Sequence, residues 1–435
     1  MSRLSLNRLF GHIALACLIL ASCSNAGESA RYKSQAEQFM AEGKLAEAVL
    51  TYRQALISEP DNADLLNGLG MALAAQGRNR SAARILNQAV IKSPIDASTK
   101  DALAKLITKP QDGLSLNLAW IVDSINSEPV GAAAASGRIF VSYADGRLMA
   151  LEQASGQMLW DVKATAALVS PPAADADQVW VGAEDGSIFV YAAASGQTLG
   201  RYLTEGAVYA APALTPNIAF CPSNDGTLYA INRTDLSLAW KAMIGDALHV
   251  SPLVSEQAIY VGSNDGRLYA FNASTGERKW NYGILTQGAV ESIPAFADGR
   301  VFFGSGDGRI YALDAETGGE YWRFSTPDAI YAQPLILNNQ LIVASSGLLL
   351  ASIGYLDGIP SWSLSFEHPI TQAPVFFKDQ LYLVARDDPR LFAVDDQTGT
   401  LLGELNTGDW IAYGPLMANT DIVLVGKDGA VFLYR

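Results

Sequence analysis

The stretch from Val301 to Trp322 reads VFFGSGDGRIYALDAETGGEYW, and related stretches recur about every 40 residues through the C-terminal three quarters of the chain. The positions equivalent to Gly308 follow one another at steps of 39 to 42 residues. They are Gly146, Gly186, Gly226, Gly266, Gly308, Gly347, Pro389 and Gly429. A repeat this regular predicts a fold built from eight similar units.

Each unit contains the pattern of a β-hairpin followed by a third strand. Ala258–Gly262 and Arg267–Phe271 are β-branched or aromatic runs on either side of Asp265-Gly266, a strong hairpin signal. A second turn and then a tryptophan follow in most copies, and we expect these tryptophans to dock blades together: Trp120, Trp160, Trp240, Trp280, Trp322 and Trp362. An inner strand before each hairpin, expected to end in a recurrent proline, completes four strands. Eight four-stranded units predict an eight-bladed β-propeller, with seven blades as the alternative if a copy is irregular.

The two ends of the repeat region are complementary. The eighth copy stops at Arg435, before its expected tryptophan, whereas residues 116–122 contain Trp120 but belong to no copy of their own. Pairing of strand 116–122 with the last blade would remove the free edge of an open ring. We therefore assign the propeller to residues 114–435.

The N-terminus carries the features of an export signal. Two arginines, a short apolar stretch and the run Leu20-Ala21-Ser22-Cys23 define residues 1–22 as a signal peptide that is too short to span a membrane. The run resembles the bacterial lipobox, which implies diacylglycerol on Cys23, an anchored N-terminus and, with Ser24 next, the outer membrane. The alternative is plain cleavage near Ala21 with an unmodified Cys23.

Residues 23–109 form a predicted helical domain with a period of 34 residues. Two repeats, 29–62 and 63–96, resemble the tetratricopeptide repeat, because small and large residues recur in the same order. Residues 97–109 are predicted to be a closing helix and residues 110–113 a short linker. The helical domain either grips a partner peptide or acts as a spacer.

Composition argues against several classes of function. A formal net charge of −14 disfavours nucleic-acid partners. After removal of the signal peptide, which contains Cys17, Cys221 has no cysteine partner other than the candidate anchor, and the chain lacks the zinc, haem and esterase motifs. The Asp-Gly pairs are explained by their hairpins, so they do not predict a calcium site. We expect no catalytic residue, no metal and no cofactor.

One set of residues remains as a candidate site. Three residues before each recurrent proline stands a residue that we expect near the central channel: Leu168, Tyr209, His249, Glu291, Tyr331, Thr371 and Ala412. Of these, Tyr209, His249, Glu291, Tyr331 and Thr371 are the candidate ring at the channel or its mouth. The alternative is variable packing in a narrow tunnel.

The segments 270–280 and 312–322 resemble the tryptophan-docking repeat of quinoprotein-type propellers, and residues 114–435 as a whole are similar to the BamB family of outer-membrane lipoproteins. This resemblance implies a periplasmic scaffold that binds the β-barrel assembly machinery through propeller loops. Quinoprotein dehydrogenases carry an adjacent cysteine pair that this chain lacks, so we expect neither pyrroloquinoline quinone (PQQ) nor calcium. The alternatives are a scaffold of another envelope secretion system, a periplasmic ligand sensor that uses the channel, and a degenerate quinoprotein dehydrogenase.

Overall fold

The computed structural model describes residues 29–60, 62–75, 116–123, 127–255, 258–282, 288–407 and 410–435, together with positions 82, 85, 86 and 89. The chain divides into two compact units, Met1–Lys109 and Pro110–Arg435. The signal peptide 1–22, Cys23, the closing helix 97–109, the linker 110–113 and much of the second helical repeat lie outside the described residues. Within that described part, no helix is long and apolar enough to cross a bilayer.

The N-terminal unit contains α1 (29–41), α2 (Leu45–Ser58) and α3 (Ala63–Ala75). α3 begins after Asn62, whose side-chain oxygen accepts hydrogen bonds from the backbone amides of Asp64 and Leu65 and so caps the helix. Small and large side chains interdigitate between the helices: Ala36, Ala48, Tyr52, Ala55, Leu65, Leu69 and Leu73 are buried in one core. This packing is the one that the 34-residue period predicts.

The C-terminal unit is an eight-bladed propeller, which confirms the predicted fold class. Each of the eight sheets has four antiparallel strands. Blade 1 comprises β2 (Pro129–Ala135), β3 (Arg138–Tyr143), β4 (Arg147–Glu152) and β5 (Met158–Lys163). Blade 2 comprises β6 (Ala173–Ala174), β7 (Gln178–Gly182), β8 (Ser187–Ala192) and β9 (Thr198–Leu203). Blade 3 comprises β10 (Ala213–Leu214), β11 (Ile218–Pro222), β12 (Thr227–Asn232) and β13 (Leu238–Met243).

The next four blades repeat this order. Blade 4 comprises β14 (Leu253–Ser255), β15 (Ala258–Gly262), β16 (Leu268–Asn272) and β17 (Arg278–Tyr282). Blade 5 comprises β18 (Ala295–Ala297), β19 (Arg300–Gly304), β20 (Arg309–Asp314) and β21 (Glu320–Ser325). Blade 6 comprises β22 (Leu335–Leu337), β23 (Gln340–Ser345), β24 (Leu349–Gly354) and β25 (Pro360–Ser365). Blade 7 comprises β26 (Val375–Phe377), β27 (Gln380–Val384), β28 (Arg390–Asp395) and β29 (Leu401–Asn406).

Blade 8 is assembled from both ends of the propeller. It comprises β30 (Ile411–Ala418), β31 (Asp421–Gly426) and β32 (Val431–Tyr434), and its outer strand is β1 (Leu118–Val122). β1 runs antiparallel to β32, with Trp120 opposite Leu433. The backbones of Asn117 and Arg435 extend the ladder with two hydrogen bonds of 2.8 Å.

The recurrent prolines of blades 2 to 7 lie just before the inner strands and Pro415 lies inside β30, so the expectation that each inner strand ends in proline is wrong. In blades 2 to 7 the strand begins one or two residues after the proline; Pro171 precedes β6, for example, and Pro252 precedes β14. Proline has no amide proton to donate to a ladder, which restricts it to strand starts and edges.

Six tryptophans join neighbouring blades. Each indole Nε1 donates to a backbone carbonyl of the next blade at 2.9–3.2 Å. Each ring also packs on the turn glycine of that blade, where an added Cβ would lie 2.4–2.8 Å from the ring. The tryptophans are Trp120, Trp160, Trp240, Trp280, Trp322 and Trp362. The turn therefore requires glycine for two reasons: glycine adopts the positive φ readily, and it has no side chain that would keep the indole away.

Candidate functional site

The candidate ring lies on the connections between successive blades. Each connection leaves an outer strand, passes the Asp-Gly turn of the preceding blade and enters the next inner strand. Tyr209, His249, Glu291, Tyr331 and Thr371 occupy five consecutive connections, before blades 3, 4, 5, 6 and 7. All five line one cavity of about 720 Å³, which we call the mouth cavity.

The two remaining positions of the sequence pattern do not line the mouth cavity. Leu168 is fully buried and pairs with Ala183 in an isolated bridge, so its side chain belongs to the core between blades. Ala412 lines a neighbouring cavity instead. The expectation that Leu168 lies near the channel is therefore wrong, because its side chain packs in the core.

Below the five polar residues, the wall of the mouth cavity becomes apolar. It is formed there by side chains of the inner strands, including Leu253, Phe296, Leu335, Val375 and Leu416. Gln333 and Gln372 add amide groups next to Tyr331 and Thr371. The cavity thus combines a polar rim with an apolar shaft, a combination that suits a ligand with a polar head.

His249 is held between two asparagines that the sequence pattern did not single out. Its Nε2 lies 2.7 Å from Asn224 Oδ1, and its Nδ1 lies 3.2 Å from Asn264 Nδ2. With the amides in this orientation, Nε2 donates to Asn224 and Nδ1 accepts from Asn264. Both asparagines precede an Asp-Gly turn, and this shared Asn-Asp-Gly sequence is the signal that could have found them.

Two contacts connect His249 to its neighbours in the ring. Glu291 Oε1 lies 3.7 Å from His249 Nδ1. The Tyr209 ring meets the imidazole edge to face, with centroids 5.5 Å apart and an interplanar angle of 86°. Tyr209 and Tyr331 are 40% and 41% exposed, which is high for tyrosines inside a cavity.

A second cavity of about 620 Å³ adjoins the first and shares Thr371 and Gln372 with it. Its other walls come from blades 7, 8 and 1 and carry charges of both signs. Lys427 Nζ lies 2.6 Å from Asp387 Oδ1 and 4.7 Å from the centroid of the Trp410 ring. The hydrogen bond from Lys427 holds the pKa of Asp387 below its usual value. Lys427 and Asp387 lie 40 residues apart in neighbouring blades, whereas ring closure brings Glu128 of blade 1 into the same cavity.

The Asp-Gly aspartates act within their own blades. Asp225 and Asp307 accept hydrogen bonds from Tyr229 and Tyr311 at 2.8 and 2.6 Å. Burial, reinforced by these carboxylates, raises the pKa of both tyrosines to about 12. Each carboxylate also accepts a hydrogen bond from the backbone amide two residues later, which holds the turn.

Cys221 lies in β11 and is fully buried. Burial raises the pKa of the Cys221 thiol, so it stays protonated at neutral pH. A protonated, inaccessible thiol is a poor nucleophile. This cysteine therefore packs as a small apolar residue.

These features define a class: a large propeller whose blades are joined by docked tryptophans and whose connections surround a polar channel mouth. The family described as "Outer membrane protein assembly factor BamB" matches residues 117–211, 190–290 and 283–408. Together these segments span residues 117–408, more than half of the 435 residues, and the chain belongs to this family. Residues 39–106 match the tetratricopeptide repeat family.

Solved structures share the propeller fold at low identity. BamB from Moraxella catarrhalis matches with a TM-score of 0.64 and 15% identity, over 74% of this chain and 99% of that one. The computationally designed Ika8 protein matches with a TM-score of 0.65 and 20% identity, over 73% and 99%. Sqt1 from Saccharomyces cerevisiae matches with a TM-score of 0.64 and 12% identity, over 74% and 99%.

No curated protein matches the chain. The solved structures establish the fold only, whereas membership of the BamB family supports a general role as a scaffold for protein interactions.

Proposed function

We propose that the protein is a lipid-anchored periplasmic scaffold of the outer-membrane β-barrel assembly machinery. The observation that carries the proposal is the family match across residues 117–408, under the description of an outer-membrane assembly factor. The lipobox-like run ending at Cys23 supports an anchor at the inner face of the outer membrane. The scaffold acts without catalysis, by holding partner proteins on its loops.

The helical unit favours a second candidate, a scaffold of another envelope secretion or export system. In α2, Leu50 and Ile57 are 66% and 79% exposed and lie seven residues apart on one helix face. Exposed apolar side chains in register on a helix are typical anchors for a partner segment. Binding through this face would direct the scaffold to a different complex.

Affinity capture from detergent-solubilised membranes tests the proposal. The full-length protein should recover the barrel subunit of the assembly machinery. The double variant Leu199→Glu/Leu203→Glu changes two exposed leucines of β9, and Leu50→Glu/Ile57→Glu makes the same change in α2. Loss of recovery in one variant alone identifies the unit that carries the contact.

The outcome that contradicts the proposal is recovery of a different envelope complex, lost in the α2 variant and kept in the β9 variant. The anchor is tested in the same preparations with Cys23→Ala, which should move the protein to the soluble periplasmic fraction. One or two acyl chains hold a protein at a bilayer through about 0.8 kcal/mol per buried methylene. A Cys23→Ala protein still wholly in the outer membrane would refute the lipid anchor.

A further inference from the structure

The mouth cavity has an unusual balance of charge. Of the described residues that line it, Glu291 is the one with an acidic side chain, and none is lysine or arginine. An anion entering this cavity would therefore meet a carboxylate and neither lysine nor arginine.

Glu291 offers the strongest hydrogen-bond acceptor of the five ring residues, a carboxylate. Its Oε1 lies 3.7 Å from His249 Nδ1, whose single lone pair already accepts from Asn264 Nδ2. A ligand that carries several N–H donors on a positive charge would bind the carboxylate oxygens of Glu291.

The aromatic residues of the ring also favour a positively charged ligand. Tyr209 and Tyr331 lie on either side of the His249–Glu291 pair in ring order, and both present about 40% of their surface to the cavity or solvent. The negative faces of exposed aromatic rings attract organic cations. The apolar shaft below accommodates the hydrocarbon part of such a ligand.

The geometry points to a binding site for an organic cation, a guanidinium or alkylammonium group, at the mouth of the propeller channel. Glu291 accepts its N–H groups, Tyr209 and Tyr331 contact its charge through their rings, and its hydrocarbon part packs against the apolar residues that line the cavity. The cation belongs either to a basic side chain at the tip of a partner's loop or to a free small amine. This site is independent of which envelope complex the scaffold serves.

Calorimetric titration of the detergent-solubilised full-length protein tests the site with three probes of equal size and different charge. Butylguanidinium should bind saturably with one site per chain, whereas the neutral pentanamide and the anionic pentanoate should not. Glu291→Gln should weaken butylguanidinium at least about tenfold, the range expected for loss of a charge-assisted hydrogen bond. Glu184→Gln, an equal charge change at an exposed turn on the same face, should leave the affinity unchanged.

Three results would overturn the site. They are equal affinity for butylguanidinium and pentanamide, equal affinity in the Glu291→Gln and Glu184→Gln variants, and no binding of butylguanidinium by a protein that melts normally. Thermal melting of each variant shows that it is folded. The titration uses purified protein and needs no partner. A negative titration therefore contradicts the cation site alone, and a negative capture experiment contradicts the scaffold proposal alone.

A photo-crosslinking residue at Gln333, which lines the cavity but has no role in the proposed site, distinguishes the two sources of the cation. A crosslinked protein that butylguanidinium competes away assigns the cation to a partner's side chain. Small-ligand binding without such a crosslink assigns the site to a free amine. A crosslink that butylguanidinium does not affect, in a protein that also fails to bind butylguanidinium, overturns the site.

Discussion

At the scale of single residues, one buried arginine joins blades 2 and 3. Arg233 is 8% exposed, and its guanidinium contacts Asp175, Gln178 Oε1 at 3.1 Å and the Thr215 carbonyl at 2.6 Å. The Gln178 amide donates back to the Arg233 carbonyl at 3.1 Å. A buried guanidinium with its donors satisfied in this way fixes the relative position of two blades.

Asp175→Asn tests this network through its acid dependence. Burial by itself would raise the pKa of Asp175, but the backbone amides of Gln178 and Asp177 and the Arg233 guanidinium outweigh burial and hold the pKa below its usual value. A carboxyl with a lowered folded-state pKa stabilises the fold above its unfolded pKa, and this contribution is lost as pH falls through the folded value. The variant should lose about 1 kcal/mol at pH 7, discounted for partial exposure.

The difference between Asp175→Asn and the unchanged protein should shrink as the pH falls below about 4, the unfolded pKa, because the unfolded carboxyl then takes up a proton before the folded one does. Chemical denaturation at pH 7 and at pH 3 measures it. Asp177→Asn is the control, because this exposed residue of the same turn does not contact Arg233 through its side chain. A stability difference between Asp175→Asn and the unchanged protein that is equal at both pH values would rule out an ionic role for Asp175.

At the scale of elements, the junction between blades 2 and 3 has no docked tryptophan, and a leucine side chain fills the space instead. Gly200 stands where six blades have tryptophan, opposite Val190 in the ladder, and Gly403 takes the same place in blade 7. The next turn has Leu236, with φ of +59°, where other turns have glycine. A Cβ on Gly200 would lie 2.3 Å from Leu236 Cδ1, so the leucine fills the space of the missing indole. At this junction the large side chain therefore comes from the turn of blade 3 and not from the outer strand of blade 2.

Restoring the common pattern at this junction is a test of that compensation. Gly200→Trp alone should destabilise the propeller, since its side chain meets Leu236, and Leu236→Gly alone should leave a gap. The double variant should recover most of the loss, with a coupling energy of about 1–3 kcal/mol, the range for residues in direct contact. Denaturant unfolding of the four proteins measures the cycle, and strictly additive effects would refute the compensation.

The sequence predicted the elements well wherever a short local pattern determines them. The Asp-Gly pairs and the turn glycines fix each hairpin, so eight copies were sufficient to predict eight blades. The inner strands were placed on the wrong side of their prolines, because β6 and β10 have only two residues each and carry little pattern of their own. Leu168 shares the spacing of the ring residues, but packing between blades decides where its side chain points.

The adjoining cavity could not be predicted, for a different reason. Glu128 meets Asp387 and Lys427 there only because the ring closes and brings blade 1 beside blade 8, whereas Asp387 and Lys427 are one repeat apart in neighbouring blades. No sequence spacing encodes the contact of Glu128. The five residues of the mouth cavity, in contrast, recur at one position of the repeat, so their common level in the ring follows from periodicity.

At the scale of the whole molecule, closure depends on a strand that is distant in sequence from the rest of its blade. Leu116, Trp120 and Ile121 are buried between blades, and Trp120 Nε1 donates to the Gln153 carbonyl of blade 1 at 2.9 Å. The amide of Gln153, itself buried, donates to the Ala418 carbonyl at 2.6 Å. Blade 1 thus contacts both the outer strand and the inner strand of blade 8, and β1 completes the contact between these two blades.

Deleting residues 116–122 should therefore destabilise the entire ring, because blade 8 would lose its outer strand and expose an unpaired edge along β32. We expect a sharp drop in melting temperature or aggregation, and the burial of Trp120 alone corresponds to about 3–5 kcal/mol. A synthetic peptide of residues 116–122 added in trans should raise the melting temperature again by mass action, whereas the same peptide with Trp120 replaced by alanine should not. Differential scanning fluorimetry measures each case, and unchanged melting of the deletion variant would show that the ring closes without β1.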